Sequence, residues 1–402
     1  MSQASTLQAP ERAWGIDRFV VGVALAGLAI LGALIWLETA PFLLALFGVG
    51  TLLGGALYHG AFGFTAGWRN LVTKKRGAAM RAQLLLFALT SLLIVPILGS
   101  GQEGLIGAVA PVGTSLVVGA FLFGVGMQLG GGCGSGTLFT VGAGNLRMVV
   151  TLIFFIVGSV IGTLHLPWWL DRPGVDPVSL IEGFGVPGAI LLQFAALGVI
   201  ALWIDRVERK AHGQVERDEW KIRNGDKGIL RTLLTGRWPF TWAIVALAVG
   251  SVLTLVIGGT TWGITFAFAL WGAKALQAVG VDMSQFEFWT WDYPAMALAD
   301  SVLVNVTSVM NFGLLLGAML AAGLANRFNE ASRKRPEGRQ LLAAVIGGLL
   351  LGYGARLAFG CNIGALFSGI ASASLHGWIW FAAAFVGSLL GVWLRPWFRL
   401  PN

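Results

Sequence analysis

The chain has 402 residues, of which 56% are hydrophobic and only 11% charged. Against roughly 25% charged in a typical soluble chain, that is too little polar surface to coat a water-soluble core, and the mean hydropathy of +0.77 agrees. Disorder and nucleic-acid binding are excluded as primary roles despite the net charge of +8, and two cysteines exclude a disulfide scaffold or a Cys-rich metal site.

Apolar runs of spanning length, about 20 helical residues for a ~30 Å hydrocarbon layer, fall near 19–37, 42–62, 82–100, 112–129, 146–166, 188–204, 238–258, 295–324, 341–358 and 376–394. The first does not read as a cleavable signal peptide, because its flank from Glu11 to Arg18 is mixed in charge and no small-residue cleavage site follows before Glu38. Basic residues gather in the loop Arg69 to Arg81, between Asp205 and Arg237, between Arg327 and Arg339, and in the tail with Arg395 and Arg399. Placing these on one side requires an even number of crossings between neighbours, and the runs supply two, four, two and two. The opposite loops then collect Glu38, Glu103, Asp171, Asp176, Glu182, Asp282, Glu287 and Asp292 against Arg172 alone. This asymmetry predicts an all-α polytopic membrane protein of about ten transmembrane helices with both termini cytoplasmic. Residues 205–237 read as a solvated linker, His212 as a surface residue, and Trp168, Trp169, Trp289 and Trp291 as an outer aromatic belt.

An internal repeat is visible. Gly126-x-x-Leu129-x-x-Gly132-Cys133-x-x-Gly136-x-Leu138-Phe139-Thr140 matches Gly354-x-x-Leu357-x-x-Gly360-Cys361-x-x-Gly364-x-Leu366-Phe367-Ser368. Gly158-Ser159-x-x-Gly162 matches Gly387-Ser388-x-x-Gly391, and Gly63-Phe64-Thr65 echoes Gly263-Ile264-Thr265. The run before Cys133 comes from the acidic-loop side and the run before Cys361 from the basic-loop side, so the halves are inverted across the membrane plane. Inverted repeats interrupted by glycine point to a transporter's central site. The expected units are 1–41, an N-terminal tail and extra transmembrane helix; 42–187, the first repeat; 188–237, a connecting helix and charged cytoplasmic linker; and 238–402, the second, inverted repeat. The short apolar pieces Thr137 to Asn145 and Ala365 to Ser374 cover only ~15 Å as helix, and read as re-entrant half-helices. Phe64 to Leu71 and Ile264 to Val279 make a second pair, so four loops converge on a narrow waist.

Glycines flanking the cysteines, Gly132, Gly134 and Gly360 among them, bare backbone amides at half-helix N-termini, which favour an anion. Close helix packing is the default reading of the glycines alone, and an inert buried residue that of a lone cysteine. Two cysteines at repeat-equivalent positions shift the reading to a functional pair, with thiols suited to a soft sulfur partner. Thr65, Ser135, Thr140, Asn362, Ser368, Thr260 and Thr261 add neutral polar groups. Arg356 and Gln128 each sit five residues before a cysteine, and an ionisable group inside an apolar run is a functional candidate. Arg147 and Lys274 read as helix-end residues reaching the interface. Asp300 reads as interfacial, and His59 and His376 as packing or interfacial residues.

These residues resemble the YeeE/YedE family of bacterial inner-membrane sulfur transporters, whose characterised members take up thiosulfate. The likeness covers roughly 42–166 and 238–394, and is most specific at Gly-Gly-Cys-Gly-x-Gly (131–136) and Gly-Cys-Asn-x-Gly (360–364). It implies a pseudo-symmetric helical body pinched by cysteine-bearing loops that hand thiosulfate along by S–H···S hydrogen bonds, without a large rocking motion. Cys133 and Cys361 match two of those positions, and Gly132, Gly134, Gly360, Asn362, Thr65, Gln128, Arg356 and Thr261 are the expected substrate-binding neighbours. Thiosulfate-type members carry a further cysteine on an early loop, aligned with Gly63 to Gly67, where this chain has none. The implied substrate is therefore thiosulfate, with Thr65 in place of a thiol, or another small sulfur or selenium species. The resemblance implies no cofactor, no metal and no nucleic acid, and a cytoplasmic sulfur-carrier or sulfurtransferase protein as a partner. A membrane thiol oxidoreductase would need a Cys-x-x-Cys motif, a cofactor fingerprint or an activating base beside a thiol, none of which the sequence contains. A purely structural membrane partner would leave the polar loops without a role.

Overall fold

The computed structural model describes residues 15–217, 228–330 and 335–402. Among them, ten helical segments are long and apolar enough to cross a membrane, and the protein is a multi-pass membrane protein. In chain order the helices are α1 (Arg18–Glu38), α2 (Pro41–Gly60), α3 (Phe64–Lys74), α4 (Ala78–Gly99), α5 (Thr114–Gly130), α6 (Gly134–Gly142), α7 (Leu146–Leu170) and α8 (Leu180–His212). They continue with α9 (Ile229–Thr235), α10 (Phe240–Gly258), α11 (Thr265–Ala278), α12 (Asp292–Ala299), α13 (Val306–Leu324), α14 (Gly338–Leu357), a π-helical turn Asn362–Phe367 running into α15 (Ser368–Ala371), and α16 (Leu375–Leu394). The sheet among the described residues is a two-stranded antiparallel pair, Val112–Gly113 with Gly174–Val175.

The loops sort to two ends of the bundle. At the acidic-loop end stand the strand pair and two isolated bridges, Ile106 with Thr260 and Ser179 with Ser374. At the basic-loop end Asp17 N–H donates to Gly323 O, Arg399 pairs with Glu337, and Arg81 reaches Glu208 at 2.5 Å.

Four helices form the centre. α5 and α14 lie antiparallel: Ser115 Oγ at the start of α5 donates to Leu357 O at the end of α14, and Gly126 near the end of α5 faces Leu351. Glycine makes this approach possible, since a Cβ on Gly126 would stand 2.8 Å from Leu351 N. The outer pairings obey the inversion. Gly158 of α7 packs against Leu349 of α14, and Gly387 of α16 packs against Phe121 of α5. The register that relates Cys133 to Cys361 also relates Phe121 to Leu349, so the sequence repeat is a repeat of packing.

Three expectations need correction. The run 295–324 is not one crossing. It breaks after Ala299, and α13 begins at Val306, because the Asn305 side chain accepts from Ser308 N and its amide donates to Tyr293 Oη. The segment after Asp205 is docked rather than solvated on all sides: α8 continues to His212, the Glu208 side chain is fully buried between Arg76 and Arg81, and His212 Nε2 pairs with Lys74 O. Residues 218–227 of that segment lie outside the described residues. Trp289 does not belong to a surface belt; it is 1% exposed and its indole donates to Thr163 Oγ1.

A candidate site at the waist between two cysteine turns

α5 ends before it reaches the basic-loop surface. Gly130 O accepts from Thr151 Oγ1, and Thr151 lies five residues into α7, or about 8 Å along it. The stop is built by Gly131, whose φ of +98 disfavours any residue with a Cβ. It is also built by Arg147 and Arg395, which donate to the free carbonyls of Leu129 and Gln128. Arg147 thus caps a helix C-terminus instead of reaching outward, in the position that a helix dipole favours for a cation.

The chain then turns at Cys133 into α6. The Cys133 thiol is the N-cap: its sulfur accepts from Gly136 N at 3.4 Å and sits 3.5 Å from Ser135 Oγ. Thr137 and Thr140 turn their hydroxyls onto Cys133 O and Gly136 O, which tightens the first turns of the half-helix.

The second repeat does the same from the other end. α14 finishes at Leu357, and Arg356 packs against Gly162 of α7, eight residues, or about 12 Å of helix, before α7 ends. The chain folds back through Gly360, at φ +149, to Cys361. That thiol caps the π-helical turn, accepting from Ile363 N at 3.4 Å. π-Helical turns are rare and concentrate at functional sites. The Cys361 sulfur lies directly against Gly134, where an added Cβ would be 2.9 Å away. Both thiols are free, at 1% and 0% exposure, and each stands at the positive end of a half-helix.

The remaining two loops are clamped by amides from neighbouring helices. Gln83 donates to Gly63 O and is itself held by the Trp68 indole. Gln128 Nε2 donates to Thr65 O and to Ser388 Oγ. On the inverted side Asn311 donates to Ile264 O, Ser368 to Trp262 O, and Arg356 Nη2 to Thr265 Oγ1. These clamps leave buried atoms without a protein partner: Thr65 Oγ1, Trp262 Nε1, Arg356 Nε, both amide atoms of Asn362, Gln128 Oε1 and Asn311 Oδ1. Each such atom costs about 1–3 kcal/mol while it stays unpaired, as do those of Thr90, Ser159, Gln193, Ser251 and Trp380, and those beside the cysteine turns make the waist a candidate place for a polar guest.

From the basic-loop end a cavity of ≈ 390 Å³ reaches Thr65, Gly132 and Cys133, with His59, Arg237 and Arg327 on its walls. His59 pairs through Nδ1 with Gly236 O and stacks on Trp238.

Of the residues the sequence singled out, Cys133, Gly132 and Thr65 line the cavity, Gln128 holds Thr65 O, Gly134 lies against Cys361, and Gly360, Asn362 and Arg356 belong to the turn of the second repeat. Thr261 is half-buried; the buried polar group of its loop is the neighbouring indole of Trp262. Sequence reasoning passed over Trp262, Asn311 and Arg395. A tryptophan or a terminal arginine in an apolar chain reads as interface, and only the pairing of Trp262 with Phe62 in the repeat hints otherwise. No group of three or more His, Cys, Asp or Glu side chains able to hold a metal occurs among the described residues.

Residues 59–390 match the family model described as sulphur transport. The chain is 26% identical to the thiosulfate transporter TsuA of Escherichia coli over 87% of its own length and 92% of that protein. It is 28% identical to TsuA of Spirochaeta thermophila over 87% and 96% of the two chains. The probable transporter YedE of Salmonella typhimurium is 35% identical, but that match spans 42% of each chain, less than half the length of the relative. With a model matching most of its length, and relatives that are transporters rather than enzymes, this chain belongs to the sulphur-transport family.

Proposed function

We propose that the protein takes up a small sulfur-containing anion, thiosulfate foremost, across the bacterial inner membrane through the Cys133–Cys361 waist. The observation that carries this reading is the meeting of two cysteine turns, each with a buried thiol capping a half-helix of opposite repeats, with Cys361 Sγ against the residue next to Cys133. The anion's charge is met by backbone N–H groups at the half-helix N-termini, and its terminal sulfur accepts an S–H from one thiol and then the other. No bond to the cysteines forms or breaks. The clamped loops hold the bore without a rocking motion of the repeats.

The basic loops, both termini and the vestibule below Cys133 face the cytoplasm in this reading, and released anion is collected there by a sulfur-carrier or sulfurtransferase protein. Cys133, Cys361, Gly132, Gly134, Gly360, Asn362, Thr65, Gln128 and Arg356 form the path, with Thr261 near its outer mouth. One observation favours a second substrate reading. Thr65 Oγ1 is buried and unpartnered where thiosulfate-type members have a thiol, which suits a different small sulfur or selenium species.

Uptake by cells or proteoliposomes across thiosulfate, sulfite, sulfide and selenite tests the proposal. Cys133→Ala and Cys361→Ala are each expected to abolish most uptake at normal abundance, and Cys→Ser to fail as well. Normal uptake by both alanine variants refutes the path, and a working serine variant shifts the substrate to a hard oxyanion.

A further inference from the structure

The two repeats are alike in backbone but not in the side chains at equivalent positions around the cysteine turns. By the register that pairs Cys133 with Cys361 and Thr65 with Thr265, Phe62 corresponds to Trp262, Gln128 to Arg356 and Gly134 to Asn362. In the first repeat none of the three offers a free donor. Phe62 is packed edge-on against Phe64 and Phe240. Gln128 spends its amide N–H groups on Thr65 O and Ser388 Oγ, and Gly134 has no side chain. In the second repeat each counterpart carries an unpartnered N–H: Trp262 Nε1, Arg356 Nε and Asn362 Nδ2. All three are more than nine-tenths buried, at 1%, 8% and 0% exposure.

The three belong to one locality. The Trp262 loop touches the Cys361 turn, with Gly263 Cα 3.8 Å from a Cβ placed on Gly364, and Arg356 is tied to that same loop through Thr265 Oγ1. Asn362 follows Cys361 directly. Trp262 lies just inside the acidic-loop end, two residues after Thr260, which bridges Ile106. No carboxylate pairs with Arg356 among the described residues. A guanidinium buried without a counter-ion is strongly unfavourable, and the neighbours that meet it here are neutral, the Thr265 hydroxyl at 3.3 Å and the Phe266 ring at 6.0 Å.

We propose that the second repeat carries an oxyanion-binding station, formed by the Trp262, Arg356 and Asn362 N–H groups around Cys361, that the first repeat lacks. It rests on the transport reading and adds to it which end of the substrate is read where. The donors hold the oxygens of a tetrahedral oxyanion while Cys361 takes its outward sulfur. The cavity half beyond Cys133, with the Thr65 hydroxyl as its unpartnered donor, binds weakly and lets the anion go. A conduit needs binding favourable enough to admit an ion and weak enough to release it, and here the two requirements are assigned to different halves.

The repeat itself supplies the test, because each swap installs the residue that already occupies the sister position. Trp262→Phe, Arg356→Gln and Asn362→Gly are compared with the wild type and with Cys133→Ala by thiosulfate titration of the purified full-length protein and by uptake in proteoliposomes. Each swap is expected to weaken binding and raise KM by about tenfold or more, most for Arg356→Gln, as befits loss of a hydrogen bond to an anion. Cys133→Ala is expected to stop uptake while thiosulfate still binds. Should Arg356→Gln not fold, Arg356→Lys keeps the charge without the Nε–H, and is expected to bind more weakly than wild type. Wild-type binding accompanied by unchanged affinity in the three swaps overturns the station and leaves the transport reading standing. A wild-type protein that neither binds nor moves any anion of the panel overturns both.

Discussion

Gly134 is the narrowest test of whether the thiols line a path. A methyl group there would stand 2.9 Å from Cys361 Sγ, 3.2 Å from Ile264 Cγ2 and 3.5 Å from Cys361 Cβ. Ordinary contacts lie near 3.5–4.0 Å, so roughly 0.6–1 Å must open between the two cysteine turns. Gly134 begins α6 without a left-handed φ, so alanine adds no backbone strain, and the cost is one of overpacking, about 1–3 kcal/mol. Gly134→Ala is therefore expected to reach the membrane in near-normal amounts and to lose nearly all uptake of radiolabelled thiosulfate. Two neighbours grade the effect. A Cβ on Gly136 meets Cys133 Sγ at 3.4 Å, and one on Gly364 meets nothing nearer than 3.8 Å. Uptake per molecule is expected to rise in the order Gly134→Ala, Gly136→Ala, Gly364→Ala. Full uptake by Gly134→Ala refutes the path at that point. Equal loss in Gly364→Ala refutes the steric argument, since these glycines would then serve backbone packing alone.

Replacing Glu208 by alanine removes a fully buried carboxylate but leaves Arg81 its bonds to Asp205 and Glu216 O, and is expected to cost about 1–3 kcal/mol, seen as a lower melting temperature with uptake per folded molecule unchanged. Thr65→Cys restores the thiol found in thiosulfate-type members and is expected to preserve or improve thiosulfate uptake; a dead but well-folded variant assigns this chain another substrate. Reporter fusions after Asp176 and after Gly213 flank α8 and are expected to report opposite sides; matching signals refute the orientation. Each Cys→Ala change is expected to lower stability by only about 1 kcal/mol, so a large drop in melting temperature would show that the thiols are packing residues.

The ten crossings, and the membrane class of the chain, were legible because hydropathy and the basic-loop parity depend on local composition. The half-helices α3 and α6 were legible for the same reason: they are too short to span, and glycine stands where each begins. What stayed hidden depends on partners far along the chain. The break before α13 hangs on one Asn305 side chain that bonds both Ser308 N and Tyr293 Oη. The docking of the 205–217 segment hangs on Glu208 meeting Arg81, 127 residues away in sequence. Trp289 looked like any interfacial indole until Thr163 supplied its acceptor. Arg147 looked like a residue reaching for the surface and Arg395 like one more base of the tail, and only the early end of α5 gives their guanidinium groups carbonyls to cap.

The same contrast explains why the two repeats diverged where they did. Backbone approaches such as Gly158 on Leu349 and Gly387 on Phe121 admit no side chain, so both copies keep glycine. Loop carbonyls buried at membrane depth need a donor, so each repeat keeps an amide clamp, Gln83 on Gly63 O and Asn311 on Ile264 O, although the residue differs. Cysteine caps both half-helices, its sulfur accepting a first-turn N–H in each. Other equivalent positions carry N–H groups that no neighbour takes up in the second repeat and have none to spare in the first. There Phe62, Gln128 and Gly134 on one side stand against Trp262, Arg356 and Asn362 on the other. A duplicated scaffold held symmetric by packing can thus carry an asymmetric site, because the forces that fix helix against helix end where the unpartnered polar atoms begin.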